Sequence, residues 1–296
     1  MKCINLILLS GGLGNQMFQY ALAMALSKMG KDVYVNGFIA DYENDHNGME
    51  LHDVFNIDTS NGFLTNLFVK FIYKFVVKYR KYSSLMSVIG VECLFDVDNN
   101  FDWIKSCYNL KLFNIWFGRF QSELFFLNCK DEILRTFQFD GKKVSCDTRN
   151  VVDNIMRNES VSIHIRKGDY MDRKNYDLYA NICTDKYYQY CVSIVNDKID
   201  NPIFFVFSDD KKWVLENLEL PINTVFVDWN VGRESWKDMY LMSICKHNII
   251  ANSTFSWWAA YLNKNPNKLV LCPRKYTNVD ISDCFYHKEW IKVSSF

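Results

Sequence analysis

From residue 161 to 272, short apolar runs alternate regularly with stretches of helical pattern, and no other property of the chain limits its fold as strongly. Residues 161–165, 203–207, 224–227, 249–251 and 268–272 read as buried strands. Residues 185–197, 209–218, 236–247 and 254–263 read as helices, with Thr184, Ser208, Ser235 and Ser253 placed to cap them. Parallel neighbours in a sheet need a crossover, and a helix is the usual one, so this alternation predicts a parallel, doubly wound sheet. The N-terminus opens in the same way. A strand over 4–9, a loop over 10–16, a helix over 17–29 stopped by Gly30 and a strand over 32–36 make a βαβ unit. The fold class expected is α/β: two Rossmann-like domains facing across a cleft. The polar stretch 141–150 sets the boundary, giving domains 1–150 and 151–296.

The region between these patterns is less regular. Residues 37–58 read as polar loop, about 58–120 as a helical and irregular insert, and 124–134 as helix. Within the insert, Phe63, Leu64, Leu67, Phe68, Phe71, Ile72, Phe75, Val76 and Tyr79 follow helical spacing over 63–82. Lys70, Lys74, Lys78 and Lys81 share a second face. The expectation is a helix packed through its apolar side with the lysines in solvent. A basic amphipathic helix on an anionic membrane surface is the other use of this pattern.

Composition removes several function classes. Lys and Arg number 34 and Asp and Glu 34, so no global field draws in nucleic acid. The ten cysteines show neither paired C-x-x-C spacing nor zinc-ligand spacing, which predicts free thiols in a reducing compartment. The uncharged run after Lys2 is broken by Gly11, Gly12 and Gly14, so it reads as strand, loop and helix rather than as an anchor or export signal. The chain is therefore expected in the cytoplasm, with 63–82 as the segment that would meet the inner face of a membrane.

Four polar constellations fall at strand ends, where open α/β sheets bind ligands. His164-Ile165-Arg166-Lys167-Gly168-Asp169 follows the strand over 161–165; Arg166 suits a diphosphate, Lys167 adds charge, and Asp169 orients the loop. Asn252-Ser253-Thr254-Phe255 leads into a helix whose N-terminus favours an anion. Asp209 and Asp228 each follow a strand, Asp209 as a helix-start acid and Asp228 as an acceptor for a base. Gly12, Gly14, Asn15 and Gln16 form a glycine-rich loop with neutral donors and acceptors, suited to sugar hydroxyls. That loop lacks the third glycine of a dinucleotide fingerprint and the Gly-Lys-Ser/Thr ending of a P-loop. Asp96-Val97-Asp98 has the acid-x-acid form that holds a divalent ion, but no strand–helix frame surrounds it.

Taken together, Gly11-Gly12-Leu13-Gly14-Asn15-Gln16-Met17-Phe18-Gln19-Tyr20-Ala21 resembles the opening signature of the family 11 glycosyltransferases, the α1,2-fucosyltransferases. His164 to Asp169 resembles the His-x-Arg-Arg-x-Asp motif of the α1,2-, α1,6- and protein O-fucosyltransferases. Phe205-Val206-Phe207-Ser208-Asp209-Asp210 and the stretch from Asp238-Met239 to Trp257-Trp258 resemble later blocks. The resemblance implies a GT-B fold, GDP-fucose as donor, inversion at the fucose carbon, and neither a cofactor nor a required metal. It implies that Arg166 stabilises the leaving diphosphate, that His164 and Asp228 contact guanine or ribose, and that Ser253, Thr254 and Phe255 line the phosphate end. Asp169, Asp209 and Asp238 would orient. Lys167 stands where the family has a second arginine, so charge is kept but the planar fork is not. The partner expected is a galactose-terminated glycan, free or lipid-linked. Asp41, Glu43 and His46 lie in the first half, but none is marked out as general base. A transferase using another GDP-sugar such as GDP-mannose, and a non-catalytic glycan- or nucleotide-binding protein, are the alternatives.

Overall fold

The structure is a computed structural model and describes residues 3–43, 46–59, 62–74, 90–95, 111–279 and 284–294. The chain divides into two units, Met1–Phe139 and Asp140–Phe296. The sequence reading set the division at residue 150. The stretch just before that point is helical and belongs to the second unit: Cys146–Arg157 is a helix capped by Ser145, whose hydroxyl accepts from Thr148 N. Its polar composition hides a short buried stripe of Thr148, Val151 and Ile155 at helical spacing.

In the first unit, β1 (Ile4–Leu8), α1 (Leu13–Lys28) and β2 (Asp32–Asn36) open the fold, followed by α2 (Phe38–Glu43), α3 (Leu51–Phe55) and α4 (Phe63–Ile72). β3 (Val91–Phe95), β4 (Phe113–Phe117), two 3₁₀ turns and α5 (Lys130–Thr136) complete it. The sheet is parallel throughout, in the order β2-β1-β4-β3, with Ile4 opposite both Asp32 and Phe113. Leu6, Ile7 and Leu8 are all buried, as a central strand covered on both faces requires.

Three expectations for this unit change. The region 37–58 is not all loop: α2 and α3 lie in it, short helices of six and five residues whose polar positions masked their periodicity. Residues 124–134 are two 3₁₀ turns and the start of α5 rather than one helix. In α4 the packed face differs from the one expected. Val69, Ile72 and Tyr73 enter the core with Leu6, Leu8, Ile39 and Ile115. Phe63, Leu64, Leu67, Phe68 and Phe71 are exposed. Asn66 fixes this rotation by accepting from Asn36 Nδ2 of β2 at 3.1 Å. Residues 75–82 of the predicted helix, and Asp96 to Asp98, lie outside the described residues.

The second unit carries α6 (Cys146–Arg157), β5 (Glu159–Ile165), α7 (Tyr176–Tyr179), α8 (Asp185–Lys198), β6 (Pro202–Ser208), α9 (Lys211–Asn217) and β7 (Val225–Val227). It continues with α10 (Trp236–Ile244), β8 (His247–Ile249), α11 (Thr254–Leu262), β9 (Val270–Pro273) and β10 (Ile291–Val293), the last strand unread in the sequence. The order β10-β9-β8-β5-β6-β7, all parallel, is doubly wound about β5 and β8. Two caps are corrected. Asp210, not Ser208, caps α9 by accepting from Trp213 N, and Ser235 makes no side-chain cap bond to α10. Tyr187 and Tyr188, fully buried on α8, donate to Ile250 O at 2.7 Å and His164 O at 3.1 Å. They tie the ends of β8 and β5 to one helix.

Candidate active site

β5 and β8 are adjacent, and the chain leaves them in opposite directions across the sheet. That reversal opens a crevice at their C-terminal ends. The loop after β5 brings Arg166 there. One terminal nitrogen of its guanidinium lies 2.7 Å from Asp169 Oδ1 and the other 3.0 Å from Asp209 Oδ2, with Tyr170 beneath at 5.7 Å. Two carboxylates from different loops thus hold the fork at one angle while it stays about a quarter exposed. Gly168 makes this possible: a Cβ there would stand 2.6 Å from Asp209 Oδ2. Asp169 and Asp209, both expected to orient, are the two carboxylates paired with Arg166.

α11 starts from the next strand. Ser253 Oγ accepts from Phe255 N at 3.3 Å, so the predicted cap is present. The remaining first-turn N–H groups give the start of α11 a partial positive charge. Asn252 locks this start to the Arg166 loop. Its buried Nδ2 donates to Tyr179 O and Tyr276 O, and its own carbonyl accepts from Tyr170 OH at 2.9 Å. Tyr170 stacks on Tyr179 with centroids 4.7 Å apart. In the sequence Asn252 has a place at the helix start but no role of its own, and Tyr170 is not marked. Their positions, one before the cap and one after the motif, were the signal.

His164 ends β5 with its ring 5.7 Å from that of Phe255. It is buried, and its Nδ1 has no hydrogen-bond partner. Burial, with the Arg166 charge adding to it, pushes its pKa down to about 3, so the ring is neutral at physiological pH. A neutral, buried, unpartnered ring nitrogen is costly by itself and suits a ligand's polar edge.

Lys167 is a correction. Its side chain turns into the unit, where Nζ donates to Cys183 O at 2.8 Å and sits 3.9 Å from the Trp213 ring centroid. Burial lowers its pKa. Only its backbone faces the site, donating to Asp209 Oδ1 at 2.8 Å. Arg166 alone therefore presents a cation from this motif. Asp228 ends β7, two strands from β5, and is ion-paired to Lys211. Asp238, in the first turn of α10, accepts from Asn230 Nδ2 at 2.7 Å. Burial, and less strongly the Asp228 charge, raises its pKa to about 7 against the pull of the Asn230 bond.

In the first unit the glycine-rich segment proves to be mostly helix. α1 begins at Leu13, so Gly14, Asn15 and Gln16 lie in its first turn, and Gly12 is its cap position. Gln16 is corrected as a sugar-facing group. Fully buried, it donates to Gly11 O at 2.7 Å and Gly48 O at 2.8 Å and accepts from Glu50 N at 2.9 Å. Glu50 in turn accepts from Leu13 N at 3.0 Å. Asn15 remains half-buried and accepts from Gln121 Nε2 at 2.7 Å. Gly12 lies against the His46 ring, which a Cβ would meet at 3.3 Å. Of the three titratable groups noted there, Asp41 accepts from Met49 N and Glu43 from Tyr73 OH. His46 is exposed and held at φ 60°. Among the described residues, no group of three or more His, Cys, Asp or Glu side chains is placed to hold a metal ion.

Residues 98–294 match the model of a family described as glycosyl transferase family 11. The chain is 30% identical over 295 residues to an alpha-1,2-colitosyltransferase of Escherichia coli, covering 96% of this chain and 97% of the relative. It is 29% identical over 147 residues to galactoside alpha-(1,2)-fucosyltransferase 1 of Rattus norvegicus, covering 47% of this chain and 39% of the relative. Among solved structures, a mutant of Arabidopsis thaliana FUT1 in complex with GDP superposes with a TM-score of 0.52 at 11% identity, covering 93% of this chain and 72% of that one. The architecture is of the GT-B type.

Proposed function

The chain belongs to glycosyltransferase family 11, and from that premise we propose that it transfers L-fucose from GDP-β-L-fucose to the 2-hydroxyl of a terminal galactose-like residue, with inversion. The observation that carries this reading is the pairing, in one crevice, of an angle-locked Arg166 with the N-terminus of α11. The reaction forms a bond between the acceptor oxygen and the fucose carbon and breaks the bond from that carbon to the diphosphate. The transition state resembles an oxocarbenium ion, so most of the stabilisation must go to the departing GDP. Arg166 and the Ser253–Phe255 turn supply it through fixed donors. His164, with Asp228 at the outer strand, would recognise the nucleoside. The buried His164 Nδ1 supports this, because a base or ribose edge would satisfy it.

The acceptor side is assigned to the first unit, around Gly12, Gly14 and Asn15. His46 is the candidate for taking the acceptor proton, since Asp41 and Glu43 are engaged with Met49 N and Tyr73 OH. A second donor has a specific observation behind it. A relative matched over nearly the whole chain is a colitosyltransferase, and colitose is L-fucose without its 3-hydroxyl. The experiment offers GDP-fucose, GDP-colitose and GDP-mannose in parallel to the purified chain with a β-galactoside, with and without EDTA, followed by linkage analysis. Transfer of fucose through an α1,2 bond, unchanged by EDTA, is the expected result. Preference for GDP-colitose would move the assignment to that donor. Transfer from none of the three, or its loss in EDTA, would overturn the reading.

A further inference from the structure

We propose that α4 docks the protein on an anionic membrane surface. α4 is apolar on two sides. Its inner side is occupied, with Val69 and Ile72 in the core. Its outer side carries Phe63, Leu64, Leu67, Phe68 and Phe71, which are 80%, 77%, 56%, 43% and 56% exposed. Their spacing of one, three and four residues puts all five on a single stripe of the helix. Helices at a protein surface normally turn polar residues outward. Here the Asn66–Asn36 bond holds the helix the other way round.

The chemistry of the rim selects the occupant. Lys70 and Lys74 are one turn apart on the flank beside Phe63 and Leu67, both exposed, with Lys70 Nζ 4.9 Å from the Tyr42 ring centroid. The neighbouring acid Glu43 accepts from Tyr73 OH. In the sequence, residues 62–90 contain Lys70, Lys74, Lys78, Arg80 and Lys81 and no Asp or Glu. An apolar stripe flanked by cations matches acyl chains beneath anionic headgroups. A second copy of the chain fits less well, because an isologous contact through this stripe would bring the same lysines together. No helix of the described residues is long and apolar enough to cross a membrane, so the contact is one of surface lodging. Docking would concentrate the protein where a lipid-linked acceptor resides, but it does not depend on which sugar is transferred.

The test is co-sedimentation of the full chain with vesicles of phosphatidylcholine alone and of phosphatidylcholine mixed with phosphatidylglycerol, at low and high salt. Binding to the mixed vesicles that weakens with salt is expected. The variant carrying Phe63→Ser, Leu67→Ser and Phe71→Ser should lose about ten-fold or more in binding. Its circular dichroism and its transfer to a soluble acceptor should match the parent. Lys70→Glu with Lys74→Glu should abolish the preference for the anionic vesicles and provides an independent readout if the serine variant folds poorly. Absence of vesicle binding by the parent, equal binding by both variants, or a parental dimer that the serine substitutions dissociate would each overturn the proposal. The vesicle-binding and oligomeric-state readouts do not depend on transferase activity, so a wrong donor assignment and a wrong docking assignment would be told apart.

Discussion

The two sheets finish their central strands in contrasting ways. In the first unit, the chain after β1 is closed by groups of its own unit: Gln16 bonds Gly11 O, Gly48 O and Glu50 N, the Glu50 carboxylate accepts from Leu13 N, and Gln19 Nε2 donates to Gly118 O at 2.8 Å. In the second, the end of β5 carries a buried imidazole nitrogen without a partner, and the loop after it carries a guanidinium held between two carboxylates. A loop that satisfies its own amides is rigid and complete. A crevice that keeps a fixed charge and an unsatisfied buried nitrogen has a cost that ligand binding removes. Polar residues at a strand end therefore do not identify a binding group until their partners are known.

Removing the charge breaks the comparison most strongly. Arg166→Ala should lower turnover by about two orders of magnitude or more, because a donor aimed at the leaving group acts chiefly in the transition state. Thermal unfolding should show a modest loss of stability but a folded chain, since the substitution leaves Asp169, whose Oδ1 is buried, and Asp209 without their shared cation. Steady-state kinetics with saturating donor would check this, and near-parental turnover would remove Arg166 from the mechanism.

The next effect is on stability and separates two residues that looked like ligand contacts in the sequence. Gln16→Ala should destabilise the chain by about 2–3 kcal/mol, since it strands a buried N–H and two carbonyls that Gln16 now serves. Lys167→Met, which keeps the stem and loses the ammonium, should cost less, about 1 kcal/mol. The lost bond to Cys183 O is partly offset by no longer burying a charge. Donor KM should stay within about three-fold in Lys167→Met, because that side chain points away from the crevice. Denaturant melts and donor titrations would measure both, and a large rise in donor KM would restore Lys167 to the site.

How far the sequence was legible follows the same line. Strand–helix alternation needs only periodicity, so the parallel sheet of the second unit was readable to within a few residues at most ends, and Thr184 and Ser253 were correctly placed as caps. The motif from His164 to Asp169 was readable as one cluster, and Asp169 and Asp209 do hold Arg166. The direction in which each side chain turns was not readable. Lys167 and Arg166 are adjacent, yet the residue beyond a strand end can swing to either side, and the acceptor Cys183 O and the face of Trp213 drew Lys167 inward. The same holds for α4. Its periodicity marked an apolar stripe, but the side chain that fixes the rotation is Asn66, a polar residue bonded to a strand 30 positions away.

The smallest effect expected in the native chain is a pH dependence held down by two opposing groups, both in the second unit. His164 has its pKa near 3 in the fold against 6.5 when free. Its contribution is complete above about pH 6.5 and is lost as pH falls toward 3, because the unfolded chain takes up the proton first. Asp238 is displaced the other way, to about 7 from 3.8. Its contribution is complete below about pH 4 and is lost as pH rises through 7, because the unfolded chain releases the proton first. Between about pH 4 and 6.5 the two slopes have opposite signs, and stability should be nearly flat with respect to these groups. Asp238→Asn should expose the His164 slope, so that the variant weakens on acidification by up to about 1 kcal/mol per pH unit. His164→Gln should expose the Asp238 slope, so that this variant strengthens on acidification. Unfolding midpoints across that window would decide the matter. If both variants tilt in the same direction, one of the two groups is not buried in the protonation state its surroundings imply, and the contrast between a closed first loop and a ligand-ready second crevice would then rest on Arg166 alone.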